Sequence, residues 1–243
     1  MVKILFYGTR GSCPSDEKHH SYGGNTSCVT VQTNEHEQFV LDLGTGLRNL
    51  GGSLVRESAE SAIRVTALLT HLHFDHVLGL PFFEPLLHEG AVLDIFGPRQ
   101  PGGSLSVAMH RLVQPPFFPI HLEQFVGQVQ FHDLQAEDFG LDGAKVRSRW
   151  IPHLGPTLGY RLEADGEAVA YIPDHQAPAD GVFVSDAVLD LCDGVDVLLH
   201  DSQYSAEELN GRRSWGHSSV DYAVRVALQS RVRHLVLFHH DPT

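Results

Sequence analysis

Short apolar runs recur along the 243-residue chain, and several of them end directly in residues that can bind a metal ion. The clearest case is Ala67-Leu68-Leu69, which is followed at once by THLHFDH at residues 70–76. Four more predicted strands end in this way: 145–151 before His153, 167–172 before Asp174 and His175, 195–199 before His200 and Asp201, and 234–238 before His239 and His240. We expect these side chains to share one rim, where the edges of the sheets converge.

Strand and helix patterns are interleaved over the whole sequence, without a repeat, a low-complexity tract or a linker. The predicted strands are 2–8, 27–33, 38–42, 65–69, 93–96, 128–132, 145–151, 157–163, 167–172, 195–199 and 234–238. The predicted helices are 47–55, 77–88 with interruptions at Pro81 and Pro85, 105–112, 185–191 and 218–228. Loops are expected at 11–25, 34–37 and 114–120. Strands followed by helices in each half predict an α/β fold of two mixed sheets with outer helices, forming one domain over 1–243.

The segment 70–76 contains three imidazoles and one carboxylate: His71, His73, Asp75 and His76. A strand that ends in such a turn can direct all four side chains at one point. Neutral imidazole and carboxylate suit zinc, manganese or iron, and two adjacent ions can activate water at neutral pH. Asp42, in LDLGTG, is interpreted as a buried turn-forming carboxylate that supports this site rather than as a ligand.

Charge and composition exclude several classes of protein. Seventeen basic against 30 acidic residues give a net charge of −13, and Arg212-Arg213 is the most basic point of the sequence. The chain therefore has few basic side chains with which to bind tRNA or duplex DNA. A small anion that is held by metal ions remains compatible with this charge. No apolar run has the length of a membrane span. Three cysteines without a CxxC motif make no disulfide framework, which predicts a reducing cytoplasm.

The sequence resembles the metallo-β-lactamase superfamily, and within it the ribonuclease-Z-like phosphodiesterase branch. The resemblance rests on the HxHxDH signature at 71–76, on YGTRGS at 7–12, on LDLGTG at 41–46 and on LFHHDP at 237–242. It implies an αββα sandwich with a dinuclear site at one edge of the two sheets. It also implies two divalent ions, with Zn²⁺ preferred and Mn²⁺ as an alternative.

The resemblance assigns a role to each candidate ligand. His71, His73 and His153 would bind the first metal, while Asp75, His76 and His239 would bind the second, and Asp174 would bridge both. His239 is preferred to its neighbour His240 because it directly follows the apolar strand, as the last ligand of the family does.

The same branch carries a proton-transfer pair, which His217 and Asp201 resemble. The alkoxide of a phosphodiester leaves poorly, so an imidazolium beside it is needed as a general acid. A carboxylate next to that imidazole would orient it and favour its protonated form. The expected reaction is attack of a metal-bridging hydroxide on phosphorus, with Asp75, His217 and Asp201 as catalytic residues. The alternative for His217 is a loop histidine that precedes a helix cap at Ser218.

Between His153 and Asp174 the sequence allows only a simple hairpin around Asp165-Gly166, whereas tRNA 3′-processing enzymes of this branch insert a long basic arm there. Segments 22–28, 115–119 and 238–242 resemble bacterial and phage cyclic-nucleotide phosphodiesterases. The expected substrate is therefore a cyclic nucleotide or another small phosphodiester, with no long nucleic acid and no membrane as partner. A homodimer is implied. Phe117 and Phe118 would form a wall for a base, or else a core or dimer-contact loop.

Three other functions stay open at this point: a tRNA 3′-processing endoribonuclease, a carbon-ester, thioester or lactam hydrolase with the same ligands, and a non-catalytic metal-dependent sensor. The ester hydrolases would not need His217, so assays with thioesters and cyclic nucleotides separate the classes.

Overall fold

The computed structural model of the protein describes residues 2–16, 21–34, 38–58 and 62–243. Twelve strands form two six-stranded sheets. The first sheet contains β1 (Lys3–Gly8), β2 (Cys28–Gln32), β3 (Gln38–Leu41), β4 (Arg64–Leu68), β5 (Val92–Pro98) and β6 (Gln128–Leu134), in that spatial order. The second contains β7 (Asp138–Leu141), β8 (Ala144–Trp150), β9 (Leu158–Ala164), β10 (Glu167–Ile172), β11 (Val197–Asp201) and β12 (His234–Phe238), again in consecutive order.

Both sheets are mixed, and they repeat one pattern. In the first, β1 to β3 pair antiparallel and β3 to β6 pair parallel. In the second, β7 to β10 pair antiparallel and β10 to β12 pair parallel. The two halves of the chain therefore have the same strand order, and the parallel strands of each half end at one edge of its sheet.

Alternation along the strands divides the core into three layers. Phe39 and Leu41 pack between the sheets, whereas Val40, which lies between them in β3, packs under the helices of the first sheet. Likewise Val169 faces the other sheet and Ala170 faces the outer helices. This period of two is expected for strands that are buried on both faces. The predicted sandwich of two sheets with outer helices is confirmed.

The helices are α1 (Leu47–Glu57), α2 (Phe74–Val77), α3 (Leu105–Leu112), α4 (Asp186–Cys192), α5 (Ala206–Leu209) and α6 (Val220–Gln229). The prediction of an α-helix at 77–88, interrupted by Pro81 and Pro85, is wrong in the type of helix. Two 3₁₀ turns, Leu80–Phe82 and Glu84–Leu87, follow α2, and each carries a proline in its first turn. Because proline has no N–H to donate, Pro81 and Pro85 prevent a continuous α-helix.

Two further elements are absent from the sequence-based prediction. Strand β7 is only four residues long and pairs with β8 across Asp142-Gly143, and helix α5 is a single turn. The expected hairpin around Asp165-Gly166 joins β9 to β10, and both turn residues have positive φ (56° and 79°), as a two-residue hairpin turn requires. The loops predicted at 11–25 and 34–37 lie partly outside the described residues.

No helix in the described part of the chain is long and apolar enough to cross a membrane. Cys13, Cys28 and Cys192 are all unpaired, which confirms that the cysteines build no disulfide framework. The reducing compartment stays a prediction.

Candidate metal centre

The histidine-rich segment leaves β4 and turns directly into α2, and two glycines permit this tight path. A Cβ atom on Gly44 would lie 2.3 Å from the carbonyl oxygen of Asp75, and one on Gly79 would lie 2.0 Å from that of Gly44. The backbone of Leu43 also donates to the carbonyl of His76 at 2.8 Å. The loop after β3 therefore packs backbone to backbone against α2 and fixes the direction of its side chains.

The first cluster consists of His71, His73, His153 and Asp174. One ligand-type atom from each residue lies within 4.8 Å of the others. Nδ1 of His73 lies 3.2 Å from Nε2 of His153. Oδ1 of Asp174 lies 3.6 Å from Nε2 of His153 and 3.9 Å from Nε2 of His71. Three different strand ends thus contribute to one point.

The second cluster consists of Asp75, His76 and His239, whose ligand-type atoms also lie within 4.8 Å of one another. Nε2 of His239 lies 3.0 Å from Oδ2 of Asp75 and 3.2 Å from Nε2 of His76. The second oxygen of Asp174 lies 3.0 Å from Nε2 of His76 and 3.3 Å from that of His239. Asp174 therefore contacts both clusters, one oxygen to each, which is the geometry of a bridging carboxylate.

His239, and not His240, belongs to this cluster. His239 follows β12 directly, has a φ of +59° and is fully buried. The ring of His240 instead stacks with that of Tyr22 at a centroid distance of 6.3 Å, and its carbonyl accepts from the backbone of Gly11 at 2.9 Å.

The hydrogen bonds of the histidine rings fit a metal. Nδ1 of His76 donates to Asp42 at 2.7 Å, and Nδ1 of His239 donates to Oε1 of Gln203 at 2.9 Å. Nε2 of His76 and Nε2 of His239 then face each other at 3.2 Å, an arrangement that a cation between them makes favourable. His153 is held in the same way, since its Nδ1 donates to the carbonyl of Gly216 at 2.7 Å. Nε2 of His71 is buried and has no hydrogen-bond partner among the described residues.

The protonation states of the first cluster suit metal binding, whereas His76 of the second cluster differs. Burial would lower the pKa of His76, but the carboxylates of Asp75, Asp174 and Asp42 outweigh it and raise that pKa, so this ring must lose a proton when a metal binds. Burial lowers the pKa of His71 well below its usual value, and it lowers the pKa values of His73 and His153, so these rings are neutral. Burial would raise the pKa of Asp174, but the neighbouring histidines outweigh it and keep that pKa well below the usual range. Neutral imidazoles and ionised carboxylates are the forms that bind a divalent ion.

Asp42 supports the centre by hydrogen bonds to the residues around it, as its position in LDLGTG predicted. Its carboxylate is fully buried and accepts from the backbone N–H of Thr70 at 2.7 Å, from Nδ1 of His76 at 2.7 Å and from the hydroxyl of Tyr171 at 2.9 Å. Because Thr70 lies at the start of the histidine-rich segment and Tyr171 lies in β10, this one carboxylate joins both sheets to the centre.

His217 and Asp201 lie together beside the clusters. Nδ1 of His217 donates to Oδ2 of Asp201 at 2.9 Å, and it lies 3.6 Å from Oδ1 of Asp174. Burial would lower the pKa of His217, but the hydrogen bond and charge of Asp201 outweigh it and raise the pKa to about 9. The helix that follows is capped by Ser219, whose side chain accepts from the backbone of Tyr222, so the cap predicted at Ser218 is wrong by one residue.

Gln203 and Ser12 complete the surroundings of the second cluster, and the sequence analysis missed both. Besides receiving Nδ1 of His239, the side chain of Gln203 donates to the hydroxyl of Tyr204 at 2.9 Å. The backbone N–H of Ser12 donates to Oδ2 of Asp75 at 2.7 Å. For Gln203 a signal existed: it lies two positions beyond Asp201, and alternation in an extended segment puts both on one side.

Besides His240, two further strand-end histidines lie outside the clusters. Nδ1 of His200 donates to the carbonyl of Asp201 at 2.7 Å, and its Nε2 accepts from Nδ1 of His175 at 3.0 Å. Both rings are buried beside Tyr222 of α6, at centroid distances of 6.2 and 5.4 Å. They connect β11, the loop after β10 and α6.

The clusters open into a cleft of about 330 Å³, which is lined by Ser12, Leu72, His73, Phe74, Asp75, Asp174 and His217. A site of this kind, with metal-ligand residues and an imidazole–carboxylate pair around a small opening, can position a hydrolytic water and a leaving group together.

Comparison with known proteins identifies the family of the chain. Residues 39–240 match the model of the beta-lactamase superfamily domain. Ribonuclease Z of Streptococcus mutans is 27% identical, with 98% of this chain and 89% of that protein covered. Ribonuclease Z of Metallosphaera sedula is 25% identical, with 98% and 88% covered.

Solved structures share the fold. The short form of human tRNase Z has a TM-score of 0.74 at 23% identity, with 99% of this chain and 93% of that chain covered. A diphosphatase of the PhnP family has a TM-score of 0.69 at 19% identity, with 100% and 88% covered. This chain belongs to the metallo-β-lactamase superfamily of hydrolases and matches its ribonuclease-Z-like phosphodiesterase branch.

Proposed function

We propose that the protein is a dinuclear-metal phosphodiesterase that hydrolyses small phosphodiesters, foremost cyclic nucleotides, to monoesters. The observation that carries the proposal is the His217–Asp201 hydrogen bond of 2.9 Å directly beside the two clusters. A thioester hydrolase has less need of a general acid of this kind, because a thiolate departs more readily than the alkoxide of a phosphodiester.

In this proposal His71, His73 and His153 would hold one ion, Asp75, His76 and His239 would hold the other, and Asp174, which contacts both clusters, would serve both. Zn²⁺ suits this nitrogen-rich set best, and Mn²⁺ is the alternative. When bound, such ions activate a water molecule and neutralise charge on the phosphate oxygens.

His217 supplies the proton for the leaving oxygen. Its Nδ1 is engaged by Asp201, so the proton that can be transferred is the one on Nε2. Asp201 itself is fixed by the backbone N–H groups of Gln203 and His175, both at 3.0 Å. The imidazole is therefore oriented by a carboxylate that two backbone hydrogen bonds hold in place. The raised pKa of His217 keeps its protonated form populated at neutral pH.

The net charge of the chain and the short β9–β10 hairpin both support the proposal of a small substrate. A net charge of −13 repels a long polyanion, whereas a single phosphate needs only the metals. The β9–β10 hairpin turns through two residues, Asp165 and Gly166, and no basic arm extends from it. The match to the streptococcal relative also extends over 287 positions, so that relative contains segments that have no counterpart among the 243 residues here.

The test is hydrolysis of 3′,5′- and 2′,3′-cyclic nucleotides by purified protein whose metal content has been measured. We expect turnover of at least one cyclic nucleotide, with loss of turnover on chelation and recovery with Zn²⁺ or Mn²⁺. Metal-loaded protein that hydrolyses none of them contradicts the proposal.

The second candidate function is tRNA 3′-end processing. It is favoured by the relatives, which are ribonucleases Z that match 98% of this chain. A precursor tRNA with a 3′ trailer therefore belongs in the same assay, together with a thioester for the ester-hydrolase class. Cleavage of the precursor at a higher kcat/KM than any cyclic nucleotide would establish this second function instead.

We also propose that the protein forms a homodimer. Sedimentation of the metal-loaded protein should give twice the mass of one chain, and a monomer at micromolar concentration would contradict it.

A further inference from the structure

A second cavity, larger and apolar, lies beside the metal cleft. It measures about 510 Å³ and is called here the aromatic pocket; its lining residues are Leu72, Phe74, Leu78, Pro81, Phe82, Ala108, Met109, Arg111, Leu112, Phe117 and Phe118. Cavities of this size that are mostly apolar and carry few polar groups are typical sites for small organic molecules.

The aromatic pocket and the cleft share two walls, Leu72 and Phe74. In the segment that carries the ligands, these two residues alternate with His71, His73 and Asp75. From 71 to 75 the odd positions belong to the clusters, while Leu72 and Phe74 form the boundary between cleft and pocket; His76, the next even position, belongs to the second cluster again. The cleft and the aromatic pocket are therefore adjacent, and a molecule whose phosphate lies in the cleft has the pocket next to it.

Several rings of the pocket are more exposed than aromatic side chains of a folded chain usually are. Phe117 is 80% exposed, Phe74 64% and Phe82 57%. Phe82 packs edge-on against Phe118 at a centroid distance of 6.0 Å, so the wall is ordered although its outer surface is open. Clustered exposed aromatic side chains mark a binding surface, and rings of this kind bind planar groups by stacking.

One charged group lies on the pocket. Arg111 of α3 lines it and forms no ion pair with any residue in the described part of the chain. A guanidinium on an otherwise apolar wall favours a ligand that combines a ring with negative charge or with carbonyl oxygens. His217, which faces the leaving oxygen in the proposed reaction, lines the cleft but not the pocket.

We infer that the aromatic pocket is the specificity site of the enzyme: it binds a planar ring, a nucleobase or an aryl group, on the part of a phosphodiester that lies away from the leaving oxygen. This inference rests on the proposed phosphodiesterase function and names its substrate class.

The test compares two diesters with the same leaving group. Bis(4-nitrophenyl) phosphate keeps a ring on phosphorus after 4-nitrophenolate has left, whereas methyl 4-nitrophenyl phosphate keeps a methyl group. Phe117→Ala removes an exposed wall, and Ala108→Trp fills the pocket. Val107→Ala is the matched control, because Val107 is a 43% exposed apolar residue of α3 that does not line the pocket.

We expect both pocket variants to lower the ratio of kcat/KM for the ring-bearing over the methyl diester by about tenfold, with the ratio unchanged in Val107→Ala. Equal loss on both diesters, or no loss, overturns the inference while the phosphodiesterase function stands. Conversion of a dimer to a monomer by both pocket variants, with an unchanged ratio, would assign the pocket to a subunit contact instead. A wild-type protein that hydrolyses neither these two diesters nor any cyclic nucleotide overturns the proposed function itself.

Discussion

The carboxylate of Asp201 accepts the Nδ1 proton of His217 at 2.9 Å and is the main cause of the raised pKa of that imidazole, which reaches about 9 against the opposing effect of burial. Asp201 stabilises the charged form of the ring, so removal of its charge lowers the pKa of His217.

The first prediction concerns pH. Turnover of a cyclic nucleotide requires protonated His217, so the rate should fall on the alkaline side as this group loses its proton. In Asp201→Asn the alkaline limb should move to lower pH, because the imidazolium has lost its partner. The pH profile of kcat is the measurement, and His217→Ala, which has no such acid, serves as the control. An alkaline limb that is identical in wild type and Asp201→Asn would contradict the pairing.

The second prediction separates the acid from the ligands. His217→Ala should retain its metal and lose about 10²- to 10⁴-fold in kcat on a cyclic nucleotide, the usual contribution of a general acid. On bis(4-nitrophenyl) phosphate, whose leaving group needs no proton, the loss should be less than about tenfold. Asp174→Ala should lose metal and activity on both substrates. Metal analysis of each purified variant is the deciding measurement; loss of metal from His217→Ala would remove the support for its role as an acid.

The third prediction concerns Gln203, which holds Nδ1 of His239 at 2.9 Å. Gln203→Leu leaves that ring free to turn, and the affinity for the second metal should fall by about 10- to 100-fold, as is usual when such a partner is removed. Gln203→Glu keeps an acceptor oxygen and should retain the affinity. Competition with a chromophoric chelator measures both variants without any assay of activity. An unchanged dissociation constant for Gln203→Leu would show that the backbone alone positions His239.

The fourth prediction concerns the stability of the metal-free protein. Asp42→Ala leaves the donors on Thr70, His76 and Tyr171 buried without an acceptor, which should lower the free energy of unfolding by about 3 kcal/mol. Asp138→Ala removes an exposed ion pair with Arg149 and should cost less than about 1 kcal/mol. Urea unfolding with the metals chelated measures both variants. Equal effects at the two positions would mean that Asp42 stabilises only the metal-bound state.

Much of this architecture could be predicted from the sequence, because its strands have a strong period of two and end in chemically distinctive residues. His71, Asp174 and His239 are separated by long stretches of chain, yet each follows an apolar run, and the structure brings all three to one edge. Their role as ligands stays a prediction. The 3₁₀ turns after α2 and the four-residue β7 escaped prediction because such short elements owe their existence to tertiary packing. Gln203 escaped because an amide is not a ligand type and its partner lies 36 residues further on.

The alternation of Leu72 and Phe74 with His71, His73 and Asp75 has a consequence for how such an enzyme can diversify. One half of the aromatic pocket begins with Leu72 and Phe74, which alternate with the candidate ligands, so a change of size at Phe74 should also displace His73 and Asp75, its direct neighbours. The opposite half, from Ala108 to Phe118, belongs to a different segment and carries no ligand. New substrate preferences should therefore arise by variation of that second half, while the first half is preserved with the chemistry it adjoins.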